Sequence, residues 1–433
     1  MNNNDLLREL CSAAADGNVE LVKHFLAQDN AVDIINQPYG IKSALHEAVH
    51  KQHVDIVKLM LDSGADPNVQ NMYGATPLHF AIVDNCNVDI IYLLLDKNAN
   101  INAQNKNGST PLHNAAFHGR NSIIMQIISN SAADIDLQDN DGQTLLHIAA
   151  QNCSQDLVEF LLDRKANIHI TDKSGKTPIH SAAKNAFKNV VQLLLDKYHD
   201  MINLQDNDGQ TLLHLIAKHS FQKIPTNLSF GGHERFLDDY DKRFIDTAEM
   251  LLNRRADTTI QNKDGQTALH LAVLYHPKDL HVRYEEYLRK NGNLAISYRS
   301  TELIKILSSN NVNFSLKNAN GYTVLDLAVA IEHDQHKIAE HLQEKRLLWR
   351  TEQIKVVNNL LVIIAKNQEQ ILKLKPDSEK TDADKFLEKW CVLPIKTTEQ
   401  ILDALNDDDF GIFQQLNEER KVALGEDAIH EMI

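Results

Sequence analysis

The apolar positions of this chain fall into short stripes of helical period. Val54, Ile56, Val57, Leu59, Met60 and Leu61 line one face of a helix, and Ile90, Ile91, Leu93, Leu94 and Leu95 repeat the pattern further along. Each stripe follows a second apolar segment with a fixed opening. It reads Gly74-Ala75-Thr76-Pro77-Leu78-His79-Phe80-Ala81, then Gly108-Ser109-Thr110-Pro111-Leu112-His113-Asn114-Ala115, then Gly175-Lys176-Thr177-Pro178-Ile179-His180-Ser181-Ala182. The Thr predicts an N-cap, because its hydroxyl can accept an orphan amide of the first turn, and Pro or Leu suits the first helical position. Asp141-Gly142 and Asp208-Gly209 predict tight hairpin tips with left-handed backbone before those caps. Each unit is therefore read as a tip followed by two helices.

The glycines of this opening stand at 74, 108, 142, 175, 209, 265 and 321, giving steps of 34, 34, 33, 34, 56 and 56 residues. Eleven residues, Leu137 to His147, recur unchanged from Leu204 to His214. A period of this size marks stacked supersecondary units. The sequence resembles the ankyrin repeat over roughly residues 6 to 342, with nine units of which the first and last are atypical. The resemblance implies an all-α solenoid; residues 343–433, where no family is recognised, read from their own apolar stripes as a C-terminal helical module.

The first unit, residues 5–38, keeps the second half of the motif without its opening, as a cap with no neighbour on one side requires. The ninth replaces the motif His by Asp326, which fits a closing cap. Units seven and eight are each about 23 residues too long, with inserts at 219–243 and 276–299 between their two helices. These inserts are expected to be spatial neighbours, and nine of the chain's 25 aromatics lie between Phe221 and Tyr298. At the turns that close each unit, Asn98, Lys165 and Arg255 occupy the left-handed position that Gly64 fills elsewhere, costing about 1 kcal/mol each, Asn less. From residue 343 to 375 the chain reads as one amphipathic helix docking on the last unit, and Phe386, Leu387, Trp390 and Val392 read as buried beyond it.

A formal charge of −15 argues against a nucleic-acid partner, since phosphate binding needs Lys and Arg in excess. Cysteines 11, 86, 153 and 391 show no paired spacing, which suits a reducing, cytoplasmic setting. The longest apolar run, Leu360 to Ala365, is too short to span a membrane, and no secretory leader is legible. The 40 asparagines match a bias common in AT-rich bacterial genomes. A monomer without cofactor is expected.

His46, His79, His113, His147, His180, His214 and His270 share one motif position, so they are read as a structural hydrogen-bonding set one layer apart, too far to converge on a metal. Cys391 with His430 could supply a thiol and a base, but no orienting third group is legible. No P-loop or dinucleotide fingerprint occurs.

The resemblance implies partner contacts at the hairpin tips and at the residues following the motif's Ala pair. Those positions hold Met72, Tyr73, Phe117, His118, Gln151, Asn152, Lys184, Asn185, Lys218, His219, Leu274 and Tyr275. Phe230, Phe236 and Tyr240 in the first insert, and Tyr284 and Tyr287 in the second, are further candidates. The expected function is a noncatalytic protein-binding scaffold. The bacterial composition and the glutamates of the tail, Glu418, Glu419, Glu426 and Glu431, are similar to ankyrin effectors that intracellular bacteria deliver into the host cytosol through a type IV system. The alternative is an enzyme with a catalytic C-terminal region and substrate-selecting repeats.

Overall fold

The computed structural model describes residues 3–28, 31–39, 42–83, 87–220, 234–275, 295–310, 312–330, 339 and 341–349, and the side chains of 234–241 and 295–301 lie outside that description. The chain divides into two compact parts, Met1–Leu303 and Ile304–Ile433.

In the first part every unit contributes a leading and a following helix. The pairs are Asn3–Asp16 with Val19–Leu26, Ala44–His50 with Val54–Asp62, Pro77–Val83 with Val88–Asp96, and Pro111–Phe117 with Asn121–Asn130. They continue as Leu145–Gln151 with Gln155–Asp163, Pro178–Lys184 with Lys188–Lys197, and Leu212–His219 with Glu234–Asn253. Ala268–Leu274 leads unit eight, whose following helix is Ala295–Ser308. Leading helices pack on one another in chain order. They can approach closely because the motif places alanines at 48, 81, 115, 149, 182 and 272, all buried, on the shared side. Leu45, Leu78, Leu112, Leu146, Ile179, Leu213 and Leu269 fill the space between layers, against apolar faces such as Ile56, Val57 and Met60 on the following helices. The only paired strands among the described residues are Pro38–Tyr39 and Lys42–Ser43, antiparallel.

The motif histidine completes a capping box. In Thr110, Thr144, Thr177, Thr211 and Thr267 the N-cap hydroxyl serves the helix while the His three residues on accepts the cap's backbone N–H. Since Nδ1 accepts, the proton sits on Nε2, which donates to the next unit. His46 reaches Ala75 O at 2.9 Å, His79 reaches Ser109 O at 3.0 Å, His113 reaches Gln143 O at 3.2 Å and His147 reaches Lys176 O at 2.9 Å. His180 and His214 continue the series to Leu204 O at 3.0 Å and Gln266 O at 2.9 Å. The structural reading of these histidines is thus borne out, and one side chain ties together a helix start and two layers.

The hairpin tips form a second ladder. Asn105 Oδ1 accepts the amides of Asn107 and Ser109, and Asp139, Asp172 and Asp206 make the same pair of bonds in later units. Each tip donates a backbone amide to the tip before it: Lys106 to Tyr73 O at 2.9 Å, Asn140 to Asn107 O at 2.9 Å, Lys173 to Asp141 O at 2.9 Å. Left-handed backbone at the tips is confined to the glycines; Asp141 and Asp208, expected to share it, are not among the positive-φ residues. The glycine is required for a second reason. A Cβ on Gly108 would lie 2.6 Å from the backbone nitrogen of Asn140, so the tips stack only because this atom is missing. Asn98, Lys165 and Arg255 do adopt φ of 64° at the unit-closing turns.

Within the first insert the chain is helical from Glu234 and runs without a break into the following helix of unit seven, making one helix of 20 residues. Residues 221–233 and 276–294 lie outside the described residues, and with them the expected contact between inserts.

In the second part Val324–Ala330 leads unit nine, and residues 341–349 are helical. Asp326 substitutes for the motif His by accepting the Thr323 amide at 2.8 Å and hydroxyl at 2.7 Å. Those bonds hold its carboxyl below the usual range. It keeps the capping half of the histidine's role without a ring nitrogen to pass onward. Phe314 meets the Trp349 ring edge-on at 6.4 Å. The rest of the expected 343–375 helix and the module after it lie outside the described residues.

Candidate protein-binding surface

Leading helices end in the same way in successive units, so their last residues form a row. Side chains bridge it: Asn152 Nδ2 donates to Ala116 O at 2.9 Å, and Asn185 Nδ2 to Ser181 O at 3.3 Å and Gln151 O at 3.5 Å. The candidates Phe117, His118, Gln151, Asn152, Lys184 and Asn185 are thereby brought onto one continuous strip. Phe117 is 48% exposed. His118 is exposed and its Nδ1 donates to Asn114 O at 2.8 Å, which fixes the ring against the helix end. Gln151 and Lys184 are exposed, whereas Lys218 and His219 are half-buried. In unit eight Leu274 is half-buried and Tyr275 is exposed.

The tip ladder carries Met72 and Tyr73, exposed at 50% and 57%. Tyr73 is held by its backbone, its amide bound to Asn71 Oδ1 at 2.9 Å and its carbonyl to Lys106 N, so its ring is presented from a rigid turn. Phe230, Tyr284 and Tyr287 lie outside the described residues; Phe236 and Tyr240 sit on the 234–253 helix, but nothing is described of their side chains.

Two residues near the row escaped the sequence reading. Phe80 packs edge-on against His46 at 5.4 Å and His50 at 6.4 Å, with the Lys42 ammonium 5.2 Å from its ring centre. The signal was a large aromatic at a motif position filled by Asn114 and Ser181 elsewhere. Arg243 stands 5.8 Å from the Phe187 ring and opposes the burial that raises the Cys153 thiol. No signal in the sequence placed it there, because the insert hides the register.

Burial, and then the charge of Glu47, push the Cys11 thiol up to about 12, which removes it as a nucleophile at neutral pH. Among the described residues no three His, Cys, Asp or Glu side chains gather as a metal site, and no helix is long and apolar enough to cross a membrane. Cys391 and His430 lie outside the described residues.

A family model described as ankyrin repeats in three copies matches residues 10–105, 83–172 and 164–228, together about half of the chain. The chain is similar to the potassium channel AKT1 of Arabidopsis thaliana, 38% identical over 71 residues, or 16% of this chain and 8% of the channel. It is 36% identical over 72 residues, again 16% of this chain, to 6% of the human transient receptor potential cation channel subfamily A member 1. An ankyrin repeat protein of Rickettsia bellii is 34% identical over 62 residues, 14% of this chain and 26% of that protein. The matched stretches thus span under a third of each relative, and what they share with this chain is the repeat. With the tip glycines, capping boxes and histidine ladder in register, the chain belongs to the ankyrin-repeat family.

Proposed function

We propose that this chain is a noncatalytic scaffold whose helix-end row and hairpin tips grip a partner protein, and that it acts as a bacterial effector on a protein of the host cell. The family supplies the first part, since ankyrin repeats mediate protein–protein binding. The observation that carries the site is the bridged, solvent-facing row around Phe117, Gln151 and Asn152, rigid in backbone and unneeded for the core. The similarity to a Rickettsia repeat protein and the asparagine-rich composition support the effector reading. Binding is expected as a monomer, in a cytosol, without cofactor. The test is affinity capture from eukaryotic lysate with the full chain and with a Phe117→Ala, Gln151→Ala, Tyr275→Ala variant. A discrete partner held by the parent chain and lost by the variant is expected; identical capture by both would sink the assignment of this surface.

A further inference from the structure

The sign of charge along the row departs from the rest of the molecule. The chain holds 59 Asp and Glu against 44 Lys and Arg, yet residues 111–120, 145–154, 178–187 and 211–220, each a leading helix with the turn after it, contain no acid. They do contain His118, Arg120, Lys184 and Lys218. Acidic residues of the same units sit on the following helices, where Asp156, Glu159, Asp163, Asp196 and Glu249 are exposed. The leading-helix ends of units four, six and seven are therefore basic and that of unit five is neutral, while the following helices of units five and seven are acidic; that of unit four has no acid, and that of unit six carries Lys188 and Lys197 beside Asp196. Arg243 adds to the basic side, its guanidinium against Phe187 in the turn after the unit-six leading helix. The tips do not share this bias, since Lys106 and Lys173 alternate there with Asp141 and Asp208.

We propose that the leading-helix ends of units four to seven bind an extended acidic segment of the partner protein, anchored by an apolar side chain on Phe117. This rests on the reading of the row as the partner surface and adds the partner's chemistry. An extended segment is the form that fits, because the row crosses successive units at helix ends bridged by Asn152 and Asn185, a track one side chain wide. Charge complementarity steers such a segment to the row and away from the acidic following helices of units five and seven. Phe117 lies at the unit-four end of this track and Lys218 at the unit-seven end, so the apolar anchor and the carboxylates belong at different points of one peptide.

The probe is a set of linear peptides selected from a random display library on the full-length protein, resynthesised with a fluorophore and titrated by anisotropy at low and high salt. Selected peptides are expected to carry an excess of Asp and Glu with one apolar residue. Their affinity should fall at least about tenfold on raising salt from about 50 to about 300 mM, as charge attraction is screened. Lys184→Glu with Lys218→Glu should weaken binding by about tenfold or more and flatten the salt dependence; Lys184→Gln with Lys218→Gln, milder for folding, should give a smaller loss of the same kind. Phe117→Ala should weaken binding without altering the salt dependence. Peptides that need Phe117 but show no acidic excess and ignore both lysine variants would overturn the acidic assignment and leave the surface standing. Peptides that ignore all three variants would overturn the surface as well.

Discussion

Replacing His79 by Gln should destabilise the protein less at pH 5 than at neutral pH, and the size of the difference follows from how the ring is held. His79 is 1% exposed, with Nδ1 accepting from Thr76 N–H and hydroxyl and Nε2 donating to Ser109 O at 3.0 Å. The Nδ1 bonds require the neutral ring, whereas the bond to Ser109 O would survive protonation, which is why that carbonyl pulls the pKa upward. Burial first, opposed by the Ser109 carbonyl and helped by the nearby His113, lowers its pKa from 6.5 to about 4. The folded state thus resists a proton that the unfolded state takes up, so this contribution is complete above about pH 6.5 and is lost as pH falls toward 4. At pH 5 the unfolded chain has gained about 1.5 pH units of protonation free energy that the folded chain has not, or about 2 kcal/mol. The Gln variant has nothing to protonate there. Its destabilisation, about 2–4 kcal/mol at pH 7.5 from the unpaired Thr76 and Ser109 groups, should therefore shrink by about 2 kcal/mol at pH 5. Urea unfolding of both proteins at the two pH values, followed by far-ultraviolet circular dichroism, measures this difference of differences. A gap that stays constant or widens on acidification would refute the neutral-ring geometry.

Four further substitutions separate packing from ornament. Gly108→Ala and Gly119→Ala both place a side chain at positive φ, 72° and 68°, for about 1 kcal/mol, but only the first meets the next tip, at 2.6 Å, so denaturant midpoints should show it losing at least about 1 kcal/mol more; equal losses would count against the tip ladder. Leu146→Asp puts a charge where the parent side chain is 0% exposed between layers, and should cost about 4 kcal/mol or more; a melting temperature within a few degrees of the parent would contradict the register. Lys197→Ala removes the exposed 2.9 Å pair with Asp163 and should change stability by no more than about 1 kcal/mol; a larger loss would mean that cross-unit ion pairs matter more than their exposure implies.

What the sequence could and could not say follows from which residues answer to a repeated constraint. The tip glycines and capping threonines were legible because each meets the same steric or hydrogen-bonding demand in every unit. Asn98, Lys165 and Arg255 were legible as left-handed because they align with Gly64. Gln52, Cys153 and Ala186 are left-handed too, and their signal was present in Gly17 and Gly119 at the equivalent inter-helix turn. The asparagines were credited to genome composition, yet many have a local physical task. Asn68 and Asn102 accept amides from the next unit's turn, and Asn71 and Asn105 close the tips, so short amide side chains recur wherever a turn leaves backbone groups without a partner. The first insert is hard to delimit for the opposite reason: no Gly or Pro between residues 234 and 253 interrupts the helix, so the insert's helical part and the unit-seven following helix cannot be told apart by periodicity. That continuity places Arg243 against Phe187, a pairing between residues 56 positions apart with no motif to announce it. The row itself lies between these cases. Its positions follow from the repeat, but its residues vary because no neighbour constrains them, and the absence of Asp and Glu is the one property they share across units four to seven. A partner of the kind proposed would read that absence at longer range than any single side chain, which is why the missing acids, more than the residues present, motivate the acidic assignment.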